Sequence, residues 1–211
     1  MSRCKKCHSG GGRSGSGNQP YQDHYFHRAK KEGYLSRAVY KLMEIQKSYG
    51  ILAKGMKVLD LGSAPGSWLQ FTASVVGETG YVVGVDLQPI DHPFPSHVHV
   101  IQGDMRDQEF IEGLASQFDA FDVIMSDMAP ETIGNKHADS ARSAYLVEQA
   151  FELTKKVLKP GGHFLAKIFQ GEDTPRLIQT IKQYFKKVKI VKPMASRKES
   201  KEVYILAMCR K

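Results

Sequence analysis

The segment D60-L-G62-S-A-P65-G66-S-W68 is the first place where residue types converge on a chemistry. Its glycines and proline make a strand-to-helix turn in which backbone approaches a ligand closely and helix N-terminal amides face it. No Gly-Lys-Ser or Gly-Lys-Thr follows, so this is not a Walker loop, and the G-x-G-x-x-G dinucleotide spacing is absent too. Twenty residues past Gly66, at the end of the next apolar run, stands Asp86, where a carboxylate accepts hydrogen bonds from both hydroxyls of an adenosine ribose. Asp104, in Q-G-D-M-R-D, is placed to take an adenine amine, and Trp68 to pack against the same molecule. Alone, the glycine turn also reads as an ordinary βα connection. With Asp86 it points to a nucleoside cofactor. Lys167 interrupts F-L-A-K-I-F, a run otherwise apolar enough to be buried, where an unpaired charge is costly and a functional explanation gains weight.

This pairing of loop and acid resembles the S-adenosylmethionine-dependent methyltransferase class, and the resemblance narrows to the FtsJ-like ribosomal RNA 2′-O-ribose methyltransferases. It is carried by S-R-A-V-Y-K-L around Lys41, L-D-L-G-S-A-P-G-S-W, V-G-V-D-L, G-D-M-R-D, S-D-M-A-P, L-A-K-I-F around Lys167 and S-K-E-V-Y around Glu202, in order over residues 21–211. The resemblance implies a catalytic set of Lys41, Asp127, Lys167 and Glu202. It implies S-adenosylmethionine as cofactor, held by Gly66, Trp68, Asp86, Asp104 and Asp127, to which Gly62 of the same loop is added; no residue is assigned to a metal. The implied substrate is a uridine ribose in large-subunit ribosomal RNA, within the large ribosomal subunit. Transfer RNA and messenger caps are the enzymatic alternatives, and a non-catalytic ribosome-assembly or RNA-binding factor is the alternative from another class.

Methyl transfer from a sulfonium to a ribose hydroxyl is an in-line displacement, and the hydroxyl is a weak nucleophile until its proton is drawn away. A lysine serves as base only when deprotonated; a second cation or a dry pocket lowers its pKa from ~10.4 toward neutrality, whereas a nearby carboxylate works the other way unless the sulfonium compensates. Lys167 is the expected base, with Asp127 holding it and Glu202 positioning Lys41 or the ribose.

The elements that must position these groups are legible as periodicity. Apolar, β-branched runs at 57–62, 81–87, 97–104, 121–127 and 162–169 predict strands. Between them 68–76, 108–117, 141–158 (closed by K-P-G-G) and 174–185 (Pro175 near its start) predict helices. An earlier amphipathic helix is predicted from Ser36, as its cap, to Gly50, as its stop. Alternation of buried strands and helices indicates an α/β fold, a doubly wound, mostly parallel seven-stranded sheet with helices on both faces. The last two runs, K-K-V-K-I-V-K-P and E-V-Y-I-L-A-M-C-R, follow without a helix between them and predict an antiparallel C-terminal hairpin at one end.

The 211 residues are 41% hydrophobic and 25% charged, which excludes global disorder, collagen-like fibres and coiled coils. Residues 1–20 predict a flexible basic Gly/Ser-rich extension ahead of one catalytic domain over 21–211. No stretch approaches the ~20 apolar residues of a membrane span, and the start has no apolar signal core, so residence in the cytoplasm is expected; a monomer is a separate expectation that these features do not supply. Three cysteines close no disulfide framework, and Cys209, in an apolar run, predicts a buried thiol. C4-K-K-C7-H8 matches a haem-attachment motif only literally, and Cys4, Cys7, His24 and His27 fall short of the usual zinc spacing. Charge is uneven. Residues 1–41 carry nine Lys or Arg against two acids, residues 182–211 ten against two, and the middle eleven against eighteen. If the two ends meet, they form one cationic face suited to a polyanion.

Overall fold

The apolar runs between Lys57 and Phe169 form strands that lie side by side, and all but the edge strand at 98–102 are largely buried on both faces. The computed structural model describes residues 20–118, 120–197 and 200–211. Along them run α1 (Pro20–Glu32), α2 (Val39–Tyr49), β1 (Lys57–Leu61), α3 (Ser67–Val76), β2 (Tyr81–Asp86), β3 (Val98–Gln102) and α4 (Gln108–Gln117). Then follow β4 (Phe121–Ser126), α5 (Lys136–Val157), β5 (Leu158–Phe169), α6 (Thr174–Tyr184), β6 (Phe185–Val191) and β7 (Glu202–Arg210). The sheet order is β3-β2-β1-β4-β5-β7-β6. The first five strands in that order are parallel, and β7 runs antiparallel between β5 and β6.

The expected hairpin is therefore present, but its second strand inserts next to β5 and its first becomes the edge. A central place suits Val203–Ala207, which are buried, whereas Lys186, Lys187 and Lys189 leave β6 fit only for an edge. Two cores flank the sheet. Leu59, Leu61, Ile124, Phe151 and Phe164 lie in one, and Val58, Trp68, Leu69, Met125 and Tyr204 in the other, under α2 and α3.

Several boundaries differ from the periodicity. α1 was not predicted, since of its described side chains Ala29 alone is fully buried and no apolar stripe marks it. It begins at Pro20, the last residue of the expected extension; residues 1–19, with Cys4 and Cys7, lie outside the described residues. α2 stops at Gly50 in the left-handed region, as predicted, but starts at Val39, and Ser36 turns its hydroxyl to Ser67 and the Ala38 amide. α5 begins at Lys136, ahead of the predicted Ala141, because the Asn135 side chain accepts from the amides of His137 and Ala138. K-P-G-G lies inside β5, at the register shift between the pairs Phe121–Leu158 and Val123–His163. Cys209, expected to be buried, is a free, half-buried thiol at φ 59° near the end of β7.

Candidate active site

Sheet register assembles the polar groups before any side chain is considered. Leu61 pairs with Ser126 and Ser126 with Ala166, so one step on Gly62, Asp127 and Lys167 stand abreast, and Lys167 pairs with Tyr204. Side chains alternate along a strand, so the residues in phase with Val58, Met125 and Leu165 share the face covered by α2 and α3. Asp60, Asp127, Lys167, Glu202 and Tyr204 are all in that phase.

Contacts follow from the row. Lys167 is 7% exposed; its Nζ donates to the Asp127 carbonyl and lies 3.1 Å from Asp127 Oδ1. Tyr204 Oη donates to the same Oδ1 at 2.6 Å. Burial, reinforced by Asp127, pushes the Tyr204 phenol well above its ordinary pKa, which keeps it a donor. Lys41 comes from α2: its Nζ is 2.7 Å from Glu202 Oε1 and 6.0 Å from the Tyr204 ring centre. Removing one partner from a buried pair such as Lys167–Asp127 leaves an uncompensated charge, at a cost of about 3–5 kcal/mol.

Beside the row, at the carboxyl ends of the parallel strands and next to the order reversal between β1 and β4, lies a cavity of about 990 Å³. Gly62, Asp86, Asp104, Asp127 and Lys167 line it; Gly66, Trp68, Lys41 and Glu202 do not. A Cβ on Gly62 (φ 78°) would sit 2.7–2.9 Å from Met128, and one on Gly66 (φ 111°) 2.8 Å from Phe94, so both positions need glycine. Asp86 accepts from the Ala64 amide at 2.8 Å and the Gln88 amide at 2.9 Å, which orients its carboxylate and leaves further lone pairs for diol hydroxyls. Asp104 is gripped by the Arg106 guanidinium at 2.7–3.0 Å, and that hydrogen bonding holds its carboxyl below the usual range. An adenine amine reaching Asp104 shares it with Arg106. The residues fit a nucleoside bearing a ribose diol.

A model of the FtsJ-like methyltransferase family matches residues 34–210. The chain belongs to that family. It is an S-adenosylmethionine-dependent methyltransferase. It is 56% identical over 187 residues to the ribosomal RNA large subunit methyltransferase E of Syntrophobacter fumaroxidans, covering 89% of this chain and 95% of the relative. It is 46% identical to the protein of the same name from Desulfatibacillum aliphaticivorans, covering 92% and 94%. Among solved structures, a Plasmodium falciparum chain described as a ribosomal RNA methyltransferase superposes with a TM-score of 0.73 at 29% identity, covering 84% of this chain and 98% of that one. The fold also matches Aeropyrum pernix fibrillarin with S-adenosylmethionine bound, at a TM-score of 0.55 and 18% identity, over 82% and 74%.

In the methyltransferase, Trp68, expected to pack against the cofactor, does not line the cavity. It is 3% exposed beneath the loop, its Nε1 donating to the Ala38 carbonyl at 2.9 Å and its ring 5.9 Å from that of Tyr204. As second residue of α3 it points back into the core, so it buttresses Tyr204. Two site residues went unassigned in the sequence. Tyr204 had a signal, since in a strand it shares a face with Glu202 two positions before. Asp60 lay in the quoted loop motif; it is fully buried, neither carboxylate oxygen has a hydrogen-bond partner among the described residues, and burial, then Asp127 and Asp86, push its pKa well above the usual carboxylate range.

The described parts of the two cationic ends meet. Arg37 donates to the Ala195 carbonyl at 3.0 Å, and Lys189 Nζ lies 5.0 Å from the Tyr49 ring centre. Lys41 sits on the same helix, α2, as Tyr49. Among the described residues no group of three or more His, Cys, Asp or Glu is placed to hold a metal, and no helix is long and apolar enough to cross a membrane.

Proposed function

We propose that this methyltransferase acts on the 2′-hydroxyl of a uridine ribose in large-subunit ribosomal RNA, as a cytoplasmic monomer working on the large ribosomal subunit. The observation that carries the reading is the row Asp127–Lys167–Tyr204, with Lys41–Glu202 beside it, at the rim of a cavity whose far wall offers Asp86 and Asp104. The names of the relatives from Syntrophobacter and Desulfatibacillum support the RNA class. The joined basic ends support a phosphate-rich partner.

In this reading Gly62, Asp86, Asp104 and Asp127 hold the cofactor, with Gly66 shaping the loop and Trp68 acting at one remove. S-adenosylmethionine supplies an electrophilic methyl group on a sulfonium. The role of base falls to Lys167, whose Nζ receives the ribose hydroxyl proton. Asp127 fixes that nitrogen through both its carboxylate and its carbonyl, so the lone pair has little freedom to miss the hydroxyl. Tyr204, held as a donor, keeps the Asp127 carboxylate turned toward Lys167. Lys41, oriented by Glu202, offers a charge-assisted hydrogen bond to the ribose oxygens. The target ribose has to leave its stack to reach the rim, which favours a loop or opened helix.

The test is methyl transfer from labelled S-adenosylmethionine to undermethylated large subunits, mapped to a nucleotide, beside Lys167→Ala. Label on one uridine ribose, absent with the variant, is expected. Label on transfer RNA or caps instead, or undiminished label with Lys167→Ala, would overturn the reading.

A further inference from the structure

We infer that Ser196 and Glu44 form a positioning clamp for the Lys41–Glu202 pair, an inference that rests on the reaction proposed above. Glu202 opens β7, and its Oε1 lies between two donors: Lys41 Nζ at 2.7 Å and Ser196 Oγ at 3.0 Å. A Lys–Glu pair by itself is two long side chains with many rotamers and little net attraction. A second donor from a buried residue removes that freedom, and Ser196 is 3% exposed.

The serine is itself held. It lies in a turn closed by its amide on the Pro193 carbonyl, in the segment between β6 and β7. Ala195, fully buried, packs its methyl among Ala29, Val39 and Tyr40 of α1 and α2. Glu44 then takes two consecutive amides, Met194 on Oε2 at 2.6 Å and Ala195 on Oε1 at 3.1 Å. Arg37 donates to the Ala195 carbonyl at 3.0 Å.

These contacts close a ring. Glu44 sits three residues after Lys41 on α2, one turn on and on the same side. The helix that carries Lys41 therefore grips the segment that carries Ser196, and Ser196 sets the Glu202 rotamer that meets Lys41. A displacement of about 1 Å in a reacting group costs up to ~100-fold in rate, so a fixed frame around Lys41 has kinetic value. Neither Ser196 nor Glu44 touches the row; both act through Glu202.

The bland reading is that Glu44 and Ser196 only tie down a surface segment. A double-mutant cycle separates the two. Ser196→Ala is expected to lower kcat about tenfold, while RNA KM and cofactor affinity change less than about twofold. Ser196→Thr, which keeps the hydroxyl, should recover most of that loss. In a Glu202→Ala background, Ser196→Ala should have no further effect, because its only route to the reaction is gone. Glu44→Gln should lower kcat similarly and also reduce Tm. The ε-carbon resonance of Lys41, assigned with Lys41→Arg, should move in the Ser196→Ala protein. If Ser196→Ala fails to fold, Ser196→Cys, close in volume and a weaker donor, is measured in its place. An unchanged kcat, an equal loss in the Glu202→Ala background, or an unmoved Lys41 resonance would each overturn the clamp. If the unsubstituted protein methylates no RNA, the reaction reading fails, and the Lys41 resonance still decides the clamp.

Discussion

The two halves of the sheet hold their charged groups in different ways. On the β2–β3 side, Asp86 is bound by the amides of Gln88 and Ala64, and Asp104 by Arg106 two residues on, so each carboxylate is oriented by its own turn or by the neighbouring loop. On the β5–β7 side the groups hold one another across long stretches of chain: Lys167 on Asp127, Tyr204 on Asp127, Glu202 on Lys41. The first arrangement is a cradle built within single turns and between the ends of adjacent strands. The second exists only once β7 has inserted between β5 and β6 and α2 has crossed that face. Recognition of a cofactor tolerates local construction, whereas a reaction centre of mutually dependent charges needs several elements docked at once.

This contrast is open to breakage. Lys167→Ala removes the proposed proton acceptor and should lower single-turnover methyl transfer by about 10³-fold, with cofactor affinity nearly unchanged. A loss under tenfold would place the base elsewhere. Asp86→Ala should show the opposite pattern, a Kd for S-adenosylmethionine about 100-fold higher by calorimetry with kcat at saturation nearly retained. A collapse of kcat at saturating cofactor would mean that the halves are not separable.

Smaller effects sharpen the same division. Glu202→Gln keeps the shape but not the charge beside Lys41, and kcat should fall about tenfold with little change in cofactor affinity. Lys189→Ala, on the joined cationic face, should raise the RNA KM about twofold and reduce the salt slope by about one, leaving kcat as it was. Asp60→Asn should affect catalysis least and the pH dependence of stability most. The buried Asp60 has its pKa raised, so the folded state keeps a proton that the unfolded chain releases above its ordinary value of 3.8. Its contribution to stability is full below that pH and is lost as pH rises through the elevated folded value. Urea unfolding at pH 5 and pH 8 should show the variant with a flatter profile and greater relative stability at pH 8; a parallel shift at both would remove Asp60 as the titrating group.

Legibility in the sequence follows the same line. The glycine loop, Asp86 and Asp104 stand out because turn chemistry and strand ends are local signals, and four parallel strands and α4 fall close to where periodicity puts them. Lys167 stands out because a charge in an apolar run is anomalous. Trp68 was less legible, since a tryptophan beside a ligand loop is equally suited to a core, and its contacts with Ala38 and Tyr204 come only from packing. α1 was invisible because it buries a single described alanine fully and borrows its stability from α2 and the segment at Ala195. Ser196 and Glu44 carry no signal at all, as a serine and a glutamate near basic residues are the commonest of surface patterns.

By itself, then, the chain's order of residues determined most strand and helix types and the glycine loop with its acids, because each depends on residues near in sequence, while the candidate catalytic quartet came from the family resemblance of motifs that recur as units. Only the tertiary structure decided that β7 lies inside the sheet, that Asp127, Lys167 and Tyr204 share one register row, and that Arg37 reaches the Ala195 carbonyl. Those outcomes rest on pairings between segments far apart in the chain, whose free energy comes from burying both partners together and has no counterpart in either segment alone.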